Sequence, residues 1–157
     1  MGSRPIRVFL DANVIISAAA SPRPLESAAV AVLDVCARGL AQAHLSRQVL
    51  SEVERTVSGK RPEQMGKLGE LLAAVSPVVL PDPPESAVAR MRQVINRKDA
   101  PILAAAVEAD VDFLVTRDLR HFHRAEVSDA VTCRIVDPAQ FLRVLAEGLS
   151  GEAFGPG

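Results

Sequence analysis

A chain of 157 residues, 48% hydrophobic and 24% charged, has the length of one ordinary domain and a globular composition, which excludes general disorder and any need for a covalent staple. The formal net charge is −1, so bulk electrostatics names no partner, and without the basic excess usual in a wide nucleic-acid grip any such contact has to be local. Arginine supplies 15 of the 18 basic residues, a bias that suits bidentate phosphate contacts.

The first element is the β-branched and aromatic run IRVFL, which stops abruptly at Asp11 and predicts a buried strand. Ala12 to Ala19 follows as a short helix, broken at Pro22 and Pro24, and Glu26 to Arg38 as an amphipathic helix stopped by Gly39. Leu40 to Leu45 is a weakly patterned second strand. Ser46 then opens a helix whose Val49, Leu50, Val53 and Val57 form an inward stripe. A polar stretch from Ser58 to Pro62 leads to a helix through Ala74, and SPVVLP supplies a third strand. Ser86 to Arg97 reads as helix, and Asp99 opens an alanine-rich helix ending near Ala109. Phe113 to Thr116 is a fourth strand, Thr132 to Val136 a fifth, and Pro138 to Glu147 a last helix with Asp137 as its N-cap. Strands separated by helices predict an α/β protein, a three-layer α/β/α arrangement with a central parallel sheet of about five strands. One domain is expected over 1–148, with a loose tail at 149–157.

Arg4 and Arg7 before VFLDANVIISAAAS imitate a secretory signal, but Asp11 and Asn13 interrupt its apolar core. No apolar run is long enough to span a bilayer, so a cytoplasmic protein without membrane contact is expected. Cys36 and Cys133 stand alone and read as free thiols.

In open parallel sheets, ligands sit beyond the carboxyl ends of the strands. Asp11 directly follows the first strand and Asp118 lies just past the fourth. Asp99 precedes a helix, and Glu52 lies on one, beside the apolar stripe and close to the more ordinary surface residue Glu54. Each Asp is also a natural helix cap, and a helical Glu is often merely solvated. The spacing does not show whether the first and fourth strands are neighbours. If several of these carboxylates share a pocket, their repulsion calls for a divalent cation, and oxygen donors favour Mg²⁺ or Mn²⁺. Zinc lacks its usual signals, because His44, His121 and His123 form no HExxH helix and are expected in surface or structural roles. Phosphate-binding Gly loops, GxGxxG and GxSxG are all missing, which removes support for nucleotide hydrolysis, hydride transfer and serine chemistry.

These residues resemble the PIN domain, a small metal-dependent ribonuclease fold of many bacterial toxins. The likeness covers about residues 6 to 145 and is carried by VFLDANVIISA, LSRQVLSEVERTV, KDAPILAAAVEADVDFLVTRD and DPAQFL, in that order. It implies that Asp11, Glu52, Asp99 and Asp118 are the catalytic, metal-binding acids, with Glu52 fitting its position better than Glu54. It also implies that Asn13 and Thr116 are polar partners near the substrate, and that the first and fourth strands lie side by side. Many members carry a further acid where this chain has Arg120, so Arg120, with Arg117, becomes a candidate phosphate contact. The activity implied is Mg²⁺- or Mn²⁺-dependent hydrolysis of RNA. An antitoxin protein and a homodimer are the implied partners. Two other readings stay open: a non-cleaving PIN-like binding module for RNA or protein, and a phosphohydrolase of small substrates on a related sheet.

Overall fold

The apolar runs pair into one parallel sheet, and its strand order decides which side chains can meet. The computed structural model describes residues 4–154. Those residues contain five strands, β1 (Ile6–Leu10), β2 (Ala41–Ser46), β3 (Val78–Leu80), β4 (Phe113–Val115) and β5 (Arg134–Val136). Their order across the sheet is β3-β2-β1-β4-β5, with every neighbouring pair parallel. The expected α/β/α class is the observed one.

The helices are α1 (Ala12–Ala20), α2 (Ala28–Ala37), α3 (Arg47–Lys60), α4 (Met65–Val75), α5 (Glu85–Met91), α6 (Ala100–Glu108), α7 (Leu119–Phe122), α8 (Ala125–Ala130) and α9 (Pro138–Phe154). Right-handed crossovers put α1 to α4 on one face as the chain steps from β1 outward to β3, and the return to β4 puts α5 and α6 on the other. Accordingly α2 packs against α1, α4 and α9, while α5 packs against α6.

Local signals start the helices where the sequence predicts. Ser46 Oγ accepts from Val49 N at 3.2 Å and so begins α3. Asp137 and Gln140 form a capping box at α9: Gln140 N donates to Asp137 Oδ1 at 2.7 Å, and Asp137 N donates to Gln140 Oε1 at 3.0 Å. The stripe Val49, Val53 and Val57 is buried, as are Val8, Phe9 and Leu10 of β1 and Leu114 and Val115 of β4. Each such fully buried side chain contributes about 1.5–3 kcal/mol. Alanines of α1 and α6 are buried beside them, and their small side chains let these helices lie close to the sheet.

Three expectations change. The helix predicted to reach Arg97 ends at Met91, and turns carry the chain on to Asp99. The last helix does not end at Glu147 but continues to Phe154, so the tail expected from 149 is helical that far, and 155–157 lie outside the described residues. Glycine lowers helix propensity by about 1 kcal/mol without removing the backbone hydrogen bond, so Gly148 does not stop it. Between Leu119 and Ala130 the chain forms α7 and α8, too short to leave a period in the sequence. Cys36 and Cys133 are free thiols, and burial pushes them up to about 12 and about 11, so both are inert. Among the described residues, no helix is long and apolar enough to cross a membrane.

Candidate metal centre

From β1 the sheet grows one way to β2 and β3 and the other way to β4 and β5, so the strand order reverses at the β1–β4 seam. The crevice beyond the carboxyl ends of those two strands is where such sheets bind ligands. Leu10 is in register with Val115, and Asp11 N donates to Val115 O at 3.0 Å. Asp11 and the segment 116–118 therefore leave the sheet side by side.

Asp11 is 8% exposed and Thr116 is fully buried. The Thr116 hydroxyl donates to Asp11 Oδ2 at 2.8 Å, and Ala12 N donates to Oδ1 at 2.8 Å. Asn13 Nδ2 donates to Thr116 Oγ1 at 3.3 Å and more weakly to Asp11 Oδ2 at 3.5 Å, while Asn13 Oδ1 accepts from Arg117 N at 3.0 Å. Asn13 and Thr116 thus serve as braces that aim Asp11 and tie down the chain after β4. Burial pushes the Asp11 carboxyl up to about 6; the Thr116 and Ala12 hydrogen bonds oppose the rise, and the facing charges of Glu52 and Asp99 add to it.

Asp99 and Asp118 both precede helices, yet neither side chain caps one. Asp99 Oδ2 accepts from Asn96 Nδ2 at 2.7 Å, and Asp118 is held by its backbone N, which donates to Thr116 Oγ1 at 3.1 Å. His121 Nδ1 lies 3.1 Å from Oδ2 of both Asp99 and Asp118 and so bridges the two acids. The surface or structural role expected for it is here a contact with both acids. His123, by contrast, contacts Ile135 O at 3.2 Å, and His44 is buried against Gln42 O at 3.1 Å. Glu52 is half-buried, whereas Glu54 is exposed. Among the described residues, the Glu52 carboxylate makes no hydrogen bond and no ion pair.

One cleft of about 280 Å³ gathers these groups, with walls formed by Asp11, Asn13, Gln48, Glu52, Arg55, Lys98, Asp99, Ile102 and Asp118. A larger cavity of about 710 Å³ lies against β5 and α9, but Glu147 is the one acid lining it. Convergent chemistry, not size, marks the site. Arg117 projects into a separate cavity of about 360 Å³ with Ser17, Ser27 and Asp137. Arg120 is 89% exposed, its Nε 3.8 Å from Asp118 Oδ1.

The donor set suits a hard divalent cation, since four carboxylates from separate elements face one space and two of them already burden a third electrostatically. Among the described residues, no group of three or more His, Cys, Asp or Glu side chains is placed, as the side chains stand, to hold a metal ion.

The sequence profile of the PIN domain matches residues 7–120. The chain belongs to the PIN domain family. PIN domains are nucleases that generally use divalent metal ions. The solved structure of VapBC2 from Rickettsia felis bound to a DNA fragment from their promoter is similar, with a TM-score of 0.62 at 17% identity, covering 84% of this chain and 98% of that one. PAE2754 from Pyrobaculum aerophilum gives a TM-score of 0.59 at 18% identity, covering 90% of each chain. At these identities the likeness is one of PIN fold. Comparison with curated proteins gives no significant match.

Sequence reasoning missed Arg55, Lys98 and Gln48 at this PIN-domain cleft, and it named His121 without its contact to the two acids. The helical spacing of Gln48, Glu52 and Arg55, four and then three residues apart, is the signal that would have found two of them. His121 follows Asp118 at a spacing of three, but its approach to Asp99 depends on the path of the turn before α6.

Proposed function

We propose that this PIN domain is a metal-dependent endoribonuclease that hydrolyses RNA phosphodiesters and acts as the toxin of a toxin–antitoxin pair. The observation that carries the reading is the meeting of Asp11, Glu52, Asp99 and Asp118 in one small cleft at the sheet's switch point. These four residues are the proposed metal ligands and catalytic acids. When bound, Mg²⁺ or Mn²⁺ would lower the pKa of a coordinated water and offset charge on the scissile phosphate.

The chain's own residues do the rest. Thr116 and Asn13 hold Asp11 in one orientation. His121 keeps Asp99 and Asp118 together from the two sides of the cleft. Glu52, without a protein partner among the described residues, has a second carboxylate oxygen that can accept the proton of the attacking water when the first is a ligand. Arg120 stands outside Asp118, where it can meet a phosphate beyond the cleft, and Arg117 faces the neighbouring cavity. The near-neutral net charge argues against strong nonspecific duplex binding and favours single-stranded or structured RNA.

The likeness to VapBC2 supports an antitoxin as the protein partner. A homodimer and a cytoplasmic setting complete the proposal by family analogy. The decisive experiment incubates purified protein with single-stranded RNA, with and without Mg²⁺ or Mn²⁺, beside an Asp99→Asn variant. The expected result is cleavage that chelation stops and the variant lacks. Equal cleavage by the variant would remove Asp99 from the site.

A further inference from the structure

A cleft walled by four carboxylates repels the polyanion it is proposed to cut, and two of the elements lining it each carry a cation that answers this. Arg55 lies one turn beyond Glu52 on α3, and Lys98 immediately precedes Asp99 in the turn before α6. Both are exposed. Among the described residues, neither forms an ion pair with the acids they share the cleft with. Other arginines do form such pairs, including Arg92 with Glu85, Arg38 with Asp34 and Arg4 with Asp112. An exposed cation usually belongs only to a solvated surface. Here, however, the two come from different elements, α3 and the turn before α6, and line one cleft with the four acids.

We infer that Arg55 and Lys98 bind the RNA phosphates on either side of the scissile one, so that the strand crosses the cleft from α3 to the start of α6. This rests on the nuclease reading and adds to it the path of the substrate. Four carboxylates against two cations leave a formal charge of −2, which one divalent ion cancels. The loaded cleft then no longer repels a phosphodiester. Gln48, on the same stripe of α3 as Glu52 and Arg55, adds an uncharged donor beside that path. The arrangement also fits the chain's near-neutral net charge, because it requires two local contacts and no basic face.

The test measures binding of a short labelled uridine homopolymer to the full chain across a salt series, with Ca²⁺ present to suppress cleavage. Each phosphate contact to a single strand contributes about 0.7 to the slope of log K against log salt. Arg55→Gln and Lys98→Gln should each lower the slope by about 0.7, and together by about twice that, while Lys98→Arg keeps it. Arg38→Gln, which alters an exposed pair with Asp34 at the far end of α2, is the control and should leave the slope unchanged. Slopes equal to wild type in both cleft variants would overturn the inference, even if the protein cleaves RNA. Slopes that fall as stated in a protein that never cleaves would support the path and reject the nuclease reading.

Discussion

The two ends of the β1–β4 seam carry aspartates in opposite circumstances. At the amino end, Asp112 is fully partnered: Oδ1 accepts from Arg4 Nη2 at 2.9 Å and Oδ2 from Arg7 N at 2.9 Å. At the carboxyl end, Asp11 is more deeply buried and accepts three hydrogen bonds, from Ala12 N, the Thr116 hydroxyl and, more weakly, Asn13 Nδ2, yet it faces Glu52 and Asp99 with no cation paired to it. Both residues border the same strands. The one end satisfies its charge and pins the start of the sheet; the other leaves charge unbalanced where a ligand can enter. An acid's partners, more than its position, separate the structural role from the chemical one.

The largest contrast should appear in catalysis. Asp11→Asn is expected to lose more than the roughly 10–100-fold that removal of an outer partner of a metal ligand costs. Asp112→Asn should stay within about twofold of wild type, since it touches no part of the cleft. Steady-state RNA cleavage by the purified variants checks both, and a severe loss in Asp112→Asn alone would break the comparison.

Stability should move the opposite way. Because the folded-state pKa of Asp11 is raised from 3.8 to about 6, folding opposes ionisation of this group. The metal-free protein is therefore relatively stabler below the unfolded value, and it loses that advantage as pH rises through about 6. At pH 7 the cost is at most about 3 kcal/mol. Asp11→Asn should accordingly raise the metal-free melting temperature at pH 7.5, by several degrees for a chain of this size. The gain should shrink as pH falls from 6 towards 4. Asp112→Asn should instead lower stability, by about 1 kcal/mol or less, because its ion pair with Arg4 is partly exposed. Thermal melts at the two pH values distinguish these signs.

A smaller and more specific effect is expected for Thr116→Val. The swap keeps the shape but removes the hydroxyl that donates to Asp11 and accepts from Asp118 N. Cleavage should fall by about 10–100-fold. Wild-type activity in this variant would mean that Asp11 needs no brace.

Much of this contrast was legible in the chain. The run IRVFL ending at Asp11, the stripe from Val49 to Val57 and the Asp137 cap appear in the structure as read, because strand runs, helical periods and caps are local signals. That Asp99 and Asp118 do not cap their helices was not legible, since an N-cap and a cleft acid share one sequence pattern. The neighbourhood of β1 and β4 is a property of strand order, and residue spacing is silent on it. Arg117 and Arg120, expected near substrate, face another cavity and open solvent, whereas Arg55 and Lys98 line the cleft. Side-chain direction after β4 depends on α7, which is too short to announce itself.

The four carboxylates are proposed to form one cation site. Anomalous diffraction from crystals soaked in Mn²⁺ tests it most directly. The predicted result is a manganese peak between Asp11, Glu52, Asp99 and Asp118. A cleft without manganese, its acids closed onto Arg55 and Lys98 while the ion binds elsewhere, would contradict it.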